Sequence, residues 1–188
     1  MQSVREKHRA ERLARRVEDV QSVENQLVIE VSDLSDQQIA DGVASAIRSF
    51  VFYDIFDWID GEVNNGVVTL KGWVREPWRK TDYQRRAEAV AGVRQVDNKI
   101  EVLPTSFYDD QIRVAAARSI YGHPSFVRYA NRALPPIHIV VNNGNVVLKG
   151  AVANKVERQL AGNLLRSGVL AFDVLNDLTV DTKMKMRN

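Results

Sequence analysis

The chain has 188 residues, of which 45% are hydrophobic and 27% are charged, and its formal net charge is +2. This composition is typical of a globular protein with one large domain or two to three small ones. The small net charge does not favour a generic nucleic-acid binder. The absence of cysteine excludes disulfides, thiolate nucleophiles and cysteine-based zinc sites. No apolar run approaches the ~18 residues that a membrane-spanning helix requires.

Part of the sequence is repeated. The pattern Asn-Gly-x-Val-x-Leu-Lys-Gly begins at Asn65 and closely recurs from Asn143. A second pattern, Val-x-Asn-x-(Ile/Leu)-x-Val, is centred on Asn98 and recurs at the same spacing around Asn176. The end of the repeat also occurs once before the middle copy, with its asparagine at Asn25. The sequence therefore predicts two and a half copies of one structural repeat.

Each complete copy begins with an amphipathic helix. In the middle copy Ser35 and Gln38 form a capping-box pattern, and Ile39, Val43 and Ile47 then recur every four residues. The corresponding apolar positions of the last copy are Ile112, Ala116 and Ile120.

Two strands and a tight turn follow the helix. Asn65-Gly66 and Asn143-Gly144 suit the positive φ angles of a type I′ turn, so the flanking strands should pair as an antiparallel hairpin. A second helix should begin near Pro77 and bury Tyr83. The last strand, Val96 to Val102 in the middle copy, should run parallel to the second strand because a helix joins them.

The predicted fold class is α+β, with tandem αββαβ repeats in which a three-stranded mixed sheet packs against two helices. We predict a half repeat at residues 1–32, which contains only the second helix and last strand. We predict complete repeats at residues 35–104 and 108–182.

The element order, the Asn-Gly turn, the Val-x-Leu-x-Gly strand and the final asparagine strand resemble the BON domain of bacterial osmotically inducible and nodulation proteins. The resemblance covers nearly the whole chain. It implies a non-catalytic, stress-associated protein of the periplasm or cell envelope that binds phospholipid at membrane surfaces and needs no cofactor.

The location of the protein has two interpretations. Family members often carry an export signal, whereas this chain starts with the charged residues Gln2 to Arg9 and has no apolar signal segment. The cytoplasm is therefore the alternative to the envelope. Because the first repeat is only half present, we expect its missing half and any signal to lie upstream of Met1.

The landmark residues of the repeat are interpreted as structural. We expect the three asparagines, Asn25, Asn98 and Asn176, to bond the backbone of the preceding turn, with a ligand role as the alternative. Two glycines lie in the predicted turns and two beside a strand end where a helix should pass closely. These are Gly66 and Gly144, and Gly72 and Gly150.

No catalytic or metal-binding constellation is evident. The histidines His8, His123 and His138 are isolated, and His138 is predicted on the outward face of a strand. Carboxylates gather in one segment, which we interpret as a solvated face with a cation site as the alternative. That segment contains Asp54, Asp57, Asp60 and Glu62. We predict no catalytic residue, no bound metal and no cofactor.

The cations are concentrated on the second helices. Residues 1–16 and 71–86 each carry a net charge of +4 and residues 149–166 carry +3, so the rest of the chain is acidic. Basic helices interleaved with aromatic rings favour an anionic lipid surface, although a merely solvated face is the alternative. The lipid-binding candidates in the middle repeat are Arg75, Trp78, Arg79, Lys80, Arg85 and Arg86.

A second candidate surface is the connection between first helix and first strand of the last repeat. It runs from Tyr121 to Pro136 and is longer than its equivalent in the middle repeat, which runs from Arg48 to Trp58. Longer loops that contain aromatic and basic residues are often functional, although these rings could instead cap the sheet. The candidates here are Phe126, Arg128, Tyr129 and Arg132.

Three functions remain in competition at this point. The first is peripheral association with an anionic phospholipid membrane, with no nucleic-acid partner. The second is a structural or interaction protein that pairs with itself or a partner through residues 1–32, where an unpaired strand edge is expected. A third, more remote function is cation binding by the acidic segment in a stress protein.

Overall fold

The computed structural model describes residues 4–28 and 34–181. The described chain forms two compact units. The first takes in the residues up to Val51 together with Ile59–Gly72 and Pro77–Glu101. The second takes in Phe52–Trp58, Trp73–Glu76 and the chain from Val102 onward.

The two complete repeats have their elements in the predicted αββαβ order, with two short helical segments added in the long connection of the last repeat. The elements up to residue 102 are α1 (Val4–Ala14), α2 (Asp36–Arg48), β1 (Trp58–Asn64), β2 (Val67–Val74), α3 (Pro77–Glu88) and β3 (Gln95–Val102). The elements after residue 102 are α4 (Phe107–Tyr121), a 3₁₀ turn (Pro124–Phe126), α5 (Val127–Ala130), β4 (Ile137–Asn142), β5 (Asn145–Val152), α6 (Lys155–Gly168), β6 (Asp173–Asn176) and β7 (Thr179–Val180).

The protein is α+β, with mixed sheets packed against helices, as predicted. One sheet has the order β1-β2-β3. In the other, β4 is antiparallel to β5 and β6 is parallel to it. This second sheet has four strands because its last strand is interrupted after Asn176, and the short β7 continues the parallel pairing with β5.

The local signals of the sequence are confirmed. Ser35 and Gln38 form the predicted capping box at the start of α2. Asn65 and Gly66 have φ angles of 49° and 75°, and Asn143 and Gly144 have φ angles of 48° and 78°, as a type I′ turn requires. The side chains of Ile39, Val43 and Ile47 are buried, and Tyr83 is fully buried.

The three asparagines form the same structural clamp in each repeat. The side-chain nitrogen of Asn98 donates to the carbonyl of Lys80 at 3.0 Å, and its oxygen accepts from the backbone N–H of Ile100 at 3.2 Å. Asn25 and Asn176 likewise donate to the carbonyl 18 residues earlier and accept from the N–H two residues later. The acceptor carbonyl belongs to the preceding helix, which corrects the expectation that it belongs to the preceding turn.

A carboxylate at the start of the first helix holds each hairpin turn. Asp36 accepts the backbone N–H groups of Asn65 and Gly66 at 2.7 and 2.9 Å. The buried Asp109 accepts those of Asn143 and Gly144 at 2.9 and 2.7 Å. The turn therefore has a fixed position relative to the first helix in both complete repeats.

Gly150 is required for a reason other than the predicted helix contact. Its φ angle is +103°, and a Cβ atom at this position would lie 2.0 Å from the carbonyl oxygen of Pro136. Backbone, rather than a passing helix, occupies the space beside it.

In the half repeat, α1 forms as predicted. Neither helix nor strand is assigned to residues 20–28. A strand is defined by its pairing, and none of the described residues pairs with this segment. The end of the predicted strand, beginning at Ile29, lies outside the described residues.

Candidate functional site

The long connection of the last repeat is folded onto the core. It forms the 3₁₀ turn and α5, and the rings of Phe126 and Tyr129 are fully buried within the apolar cluster of the second unit. This burial corrects the expectation that these two rings face a lipid surface. Both rings pack in the core with residues of the sheet, which agrees with the alternative that they cap it.

Arg128 and Tyr129 are part of a polar network centred on Glu157. Arg128 Nη2 and the Tyr129 hydroxyl each donate to a carboxylate oxygen of Glu157 at 2.6 Å. The backbone N–H of Ala153 donates to the Tyr129 hydroxyl at 2.8 Å. Burial raises the pKa of Glu157, but the hydrogen bonds from Tyr129 and Arg128 outweigh it and hold the pKa below its usual value. Arg128 is thus committed to a structural ion pair.

Arg132, the remaining candidate of this connection, is half-buried. Its guanidinium carbon lies 5.4 Å from the centre of the Tyr129 ring. This cation–π contact directs the charge toward the network around Tyr129.

The candidates around α3 differ strongly in accessibility. Arg79 is buried beside Trp78, and Arg86 lies over the ring of Phe50 at 4.0 Å. Arg85 is exposed but pairs with Asp82 at 3.3 Å. Trp78 is exposed over 44% of its surface, and Lys80 is half-buried. Of this group, only Trp78 and Arg85 are well placed to meet an external surface.

Arg75 binds two carboxylates of the acidic segment, Asp54 and Asp57, in the second unit. Arg75 Nη2 pairs with Asp54 at 3.0 Å, and the Arg75 backbone N–H donates to Asp57 Oδ1 at 3.4 Å. Asp57 is fully buried, which corrects the prediction that it belongs to a solvated face. Asp60 and Glu62 are exposed, as predicted. Within residues 4–28 and 34–181, no group of three or more His, Cys, Asp or Glu side chains has the geometry of a metal site.

His138 is buried rather than exposed on the outward face of its strand. Segment 52–58 lies along the edge of β4, where the backbone N–H of Ile139 donates to the carbonyl of Ile55 at 2.7 Å. The Nδ1 atom of His138 lies 2.7 Å from the carbonyl oxygen of Asp57, and the ring stacks on Tyr53. The sequence did not predict that residues 52–58 cover His138, because this segment is distant from His138 in the sequence.

An exposed apolar cluster in the second unit was not predicted. We define the aromatic cluster as Phe107, Tyr108, Leu170 and Phe172. The rings of Tyr108 and Phe172 are 6.0 Å apart, and the Tyr108 hydroxyl donates to the carbonyl of Leu170 at 2.8 Å. Phe107 is 80% exposed, Leu170 87% and Phe172 77%.

A signal for part of this cluster was present in the sequence. Phe107 and Tyr108 lie outside the buried stripe of α4, which runs through Ile112, Ala116 and Ile120. Large rings outside a helix's apolar stripe are expected to be exposed. The contribution of Leu170 and Phe172 depends on the tertiary fold and had no comparable signal.

Comparison with known families agrees with these features. The BON domain model matches residues 1–31, 35–104 and 126–182. The chain belongs to the BON domain family. BON domains are associated with cell-envelope proteins and are generally non-enzymatic. None of the helices in the described parts of this BON chain is long and apolar enough to cross a membrane.

Comparisons with individual proteins are more distant. A search of the curated proteins found no match. The C-terminal domain of CdsD, a structural protein of the type III secretion system of Chlamydia trachomatis, is 14% identical, with a TM-score of 0.29 over 79% of this chain and 100% of that one. A second structure of CdsD from the same organism is 16% identical, with a TM-score of 0.26 over 79% and 97%.

Proposed function

We propose that this BON-family protein is a non-catalytic envelope module that associates peripherally with anionic phospholipid surfaces. The observation that carries the proposal is the aromatic cluster. Phe107, Leu170 and Phe172 are strongly exposed, and Tyr108, the chain neighbour of Phe107, contacts both Leu170 and Phe172. Aromatic and aliphatic side chains of this kind are stabilised at the boundary between lipid headgroups and acyl chains.

The cluster is held in a defined arrangement. Tyr108 is anchored to the carbonyl of Leu170, and the Phe172 ring lies against Gly144, where a Cβ atom would approach the ring to 2.5 Å. Side chains that are already ordered lose less conformational entropy when they enter an interface. This pre-organisation favours insertion of the cluster as one piece.

Cations accompany the cluster in the same unit. Helix α6 exposes Lys155, Arg158 and Arg166, and Arg166 donates to the carbonyl of Val174, two residues after Phe172. A cation near an anionic leaflet contributes about 1 kcal/mol to association. The basic second helix of this repeat therefore supports the apolar contact.

The test is co-flotation of the full chain with phosphatidylglycerol vesicles. The double variant Phe107→Ser, Phe172→Ser should lower the apparent affinity about tenfold or more, since burying one such ring contributes ~1.5–3 kcal/mol and ~1.4 kcal/mol corresponds to a factor of ten. The matched control Val51→Ser, Phe52→Ser removes apolar surface at exposed positions outside the cluster and should float as the unmodified chain does. Equal flotation of the two double variants, or no flotation of the unmodified chain, contradicts the proposal.

A second candidate function, self-association, is favoured by the half repeat. Leu27 is 44% exposed although its equivalent Ile100 is 1% exposed, and Val20 is 39% exposed although Val93 is fully buried. The half repeat keeps its Asn25 clamp while it exposes these core-type residues. Light scattering tests pairing: a dimer that Leu27→Asp dissociates and Val51→Asp does not supports it, and a strict monomer contradicts it.

A further inference from the structure

Helix α1 and the turn that follows it carry four arginines on one face. Arg5, Arg9, Arg12 and Arg16 are separated by steps of four, three and four residues, which places their side chains in a row along a helix. The backbone N–H of Arg16 bonds the carbonyl of Leu13, so the chain continues to turn beyond the end of α1 at Ala14. The row spans roughly 16 Å at the helical rise per residue.

These arginines line an open groove in the first unit. Its volume is about 750 Å³, and its walls also include Glu6, Leu13 and Ala89. Leu13 is exposed, so the groove combines a row of guanidinium groups with an apolar wall.

Two ion pairs involve other residues of α1 and of the turn that follows it. Arg15, on a different face of the helix, pairs with Glu11 at 2.7 Å. Glu88 lies 3.6 Å from His8. Glu6 also lines the groove, so its charged lining of four arginines and one glutamate carries a formal net charge of +3. The helix thus separates a paired cation from a row with an excess of positive charge.

Such a row is unfavourable for the free helix. Like charges three or four residues apart repel each other and lower helix stability. An anion that contacts several guanidinium groups removes the repulsion and gains bidentate hydrogen bonds, for which the planar guanidinium matches phosphate oxygens. A ligand with one negative group would meet only part of the row.

We propose that the arginine groove, formed by Arg5, Arg9, Arg12 and Arg16, binds a ligand that carries several phosphate groups. This chemistry has two sources, the phosphates of anionic lipid headgroups and a soluble oligophosphate. The inference goes beyond the proposed membrane contact because it concerns different residues, and a soluble ligand tests it without a membrane.

Calorimetric titration of the full chain with tripolyphosphate tests the groove. The double variant Arg9→Gln, Arg12→Gln should weaken binding at least tenfold. The control Arg15→Gln, Arg118→Gln removes the same charge from outside the groove and should change binding less than twofold. An equal loss in both double variants means that net charge alone attracts the anion and overturns the proposal, as does the absence of binding to the unmodified chain.

A conservative variant separates binding from folding. Arg9→Lys, Arg12→Lys keeps the charges but removes the planar donor pairs, so its tripolyphosphate affinity should lie between those of the unmodified chain and the glutamine variant. Far-ultraviolet circular dichroism should be the same for all three proteins. An affinity of the lysine variant equal to that of the unmodified chain contradicts bidentate phosphate recognition.

Competition then identifies the source of the phosphates. If tripolyphosphate displaces the chain from phosphatidylglycerol vesicles, and the glutamine variant floats less, the groove takes lipid headgroups. If tripolyphosphate binds without displacing the chain, the groove takes a soluble ligand. The aromatic variant Phe107→Ser, Phe172→Ser should bind tripolyphosphate as tightly as the unmodified chain does. The groove proposal can therefore be confirmed or contradicted even if the membrane proposal fails.

Discussion

His138 is enclosed in a buried site, and its burial favours the neutral form of the imidazole. The rings of Tyr53 and Trp58 pack against the imidazole, and the backbone carbonyls of Asp54 and Asp57 face it, with the Asp54 carboxylate nearby. Burial lowers the pKa of His138, and the carbonyls and the Asp54 charge, which raise it, do not compensate. Because the Asp57 carbonyl oxygen can only accept a hydrogen bond, the Nδ1 atom of the neutral ring carries the proton and donates to it.

The first prediction concerns the pH dependence of stability. Because the folded-state pKa of His138 lies below its usual value of 6.5, the unfolded chain takes up the proton first as the pH falls. The stability that His138 contributes is thus complete above pH 6.5 and is lost as the pH falls from 6.5 toward the folded-state pKa.

Urea unfolding at about pH 7.5 and about pH 5.5 measures this loss. The difference between the two midpoints should be smaller in His138→Gln than in the unmodified chain. His123→Gln, which alters a half-buried histidine outside this contact, should keep the full difference. An unchanged pH difference in His138→Gln would show that His138 does not titrate in this window.

The sequence predicted single residues well where a local rule governs them. The Ser35 capping box and the Asn-Gly turns depend on neighbours within four residues, and Tyr83 follows from helical periodicity. His138 was assigned to an exposed position because alternation in a strand identifies its two faces but not whether distant chain covers them. Asp57 was assigned to a solvated face because it belongs to a segment rich in carboxylates. The prediction that Phe126 and Tyr129 face lipid was wrong for a related reason. An aromatic residue in a long connection is compatible with both a buried and an exposed position.

At the scale of elements, the asparagine clamp joins a helix to the last strand of its repeat. In the complete repeat, Asn98 satisfies the carbonyl of Lys80 in α3 and the N–H of Ile100 in β3. Because these groups lie partly away from water, loss of the amide leaves them without partners.

The second prediction is that Asn98→Ala lowers the free energy of unfolding by about 1–3 kcal/mol, the usual range for leaving buried polar groups unsatisfied. Asn163→Ala changes an exposed asparagine in the middle of α6 and should alter stability by less than ~0.5 kcal/mol. Chemical denaturation of both variants is the measurement. Similar changes in the free energy of unfolding for the two variants would mean that the asparagine clamp does not stabilise the fold.

Elements were predictable wherever the described chain contains their partners. The hairpins and the parallel last strands appear because β2 and β5 are present to pair with them. Residues 20–28 carry the same pattern as β3 but form no strand in the described structure. The pattern specifies which side chains alternate, whereas hydrogen bonding to a neighbour decides whether a strand exists.

At the scale of the molecule, a net charge of +2 conceals an uneven distribution. The clustering of cations on the second helices was evident in the sequence, but their availability was not. Ion pairs and ring contacts engage Arg75, Arg86 and Arg128, whereas the lining of the arginine groove contains four arginines and a single glutamate. Counting charges located the basic segments, and only the folded structure separated engaged cations from available ones.

The third prediction separates the apolar and electrostatic parts of vesicle binding. Raising the salt concentration from about 0.1 M to about 1 M shortens the screening length from ~10 Å to ~3 Å, which weakens attraction between exposed cations and lipid but not burial of apolar rings. The unmodified chain should therefore retain part of its flotation with phosphatidylglycerol vesicles in high salt. Phe107→Ser, Phe172→Ser should lose most of its flotation there, because the charges are screened and only Leu170 and Tyr108 of the cluster remain. High-salt flotation of this variant at the level of the unmodified chain would exclude the aromatic cluster as the inserted surface.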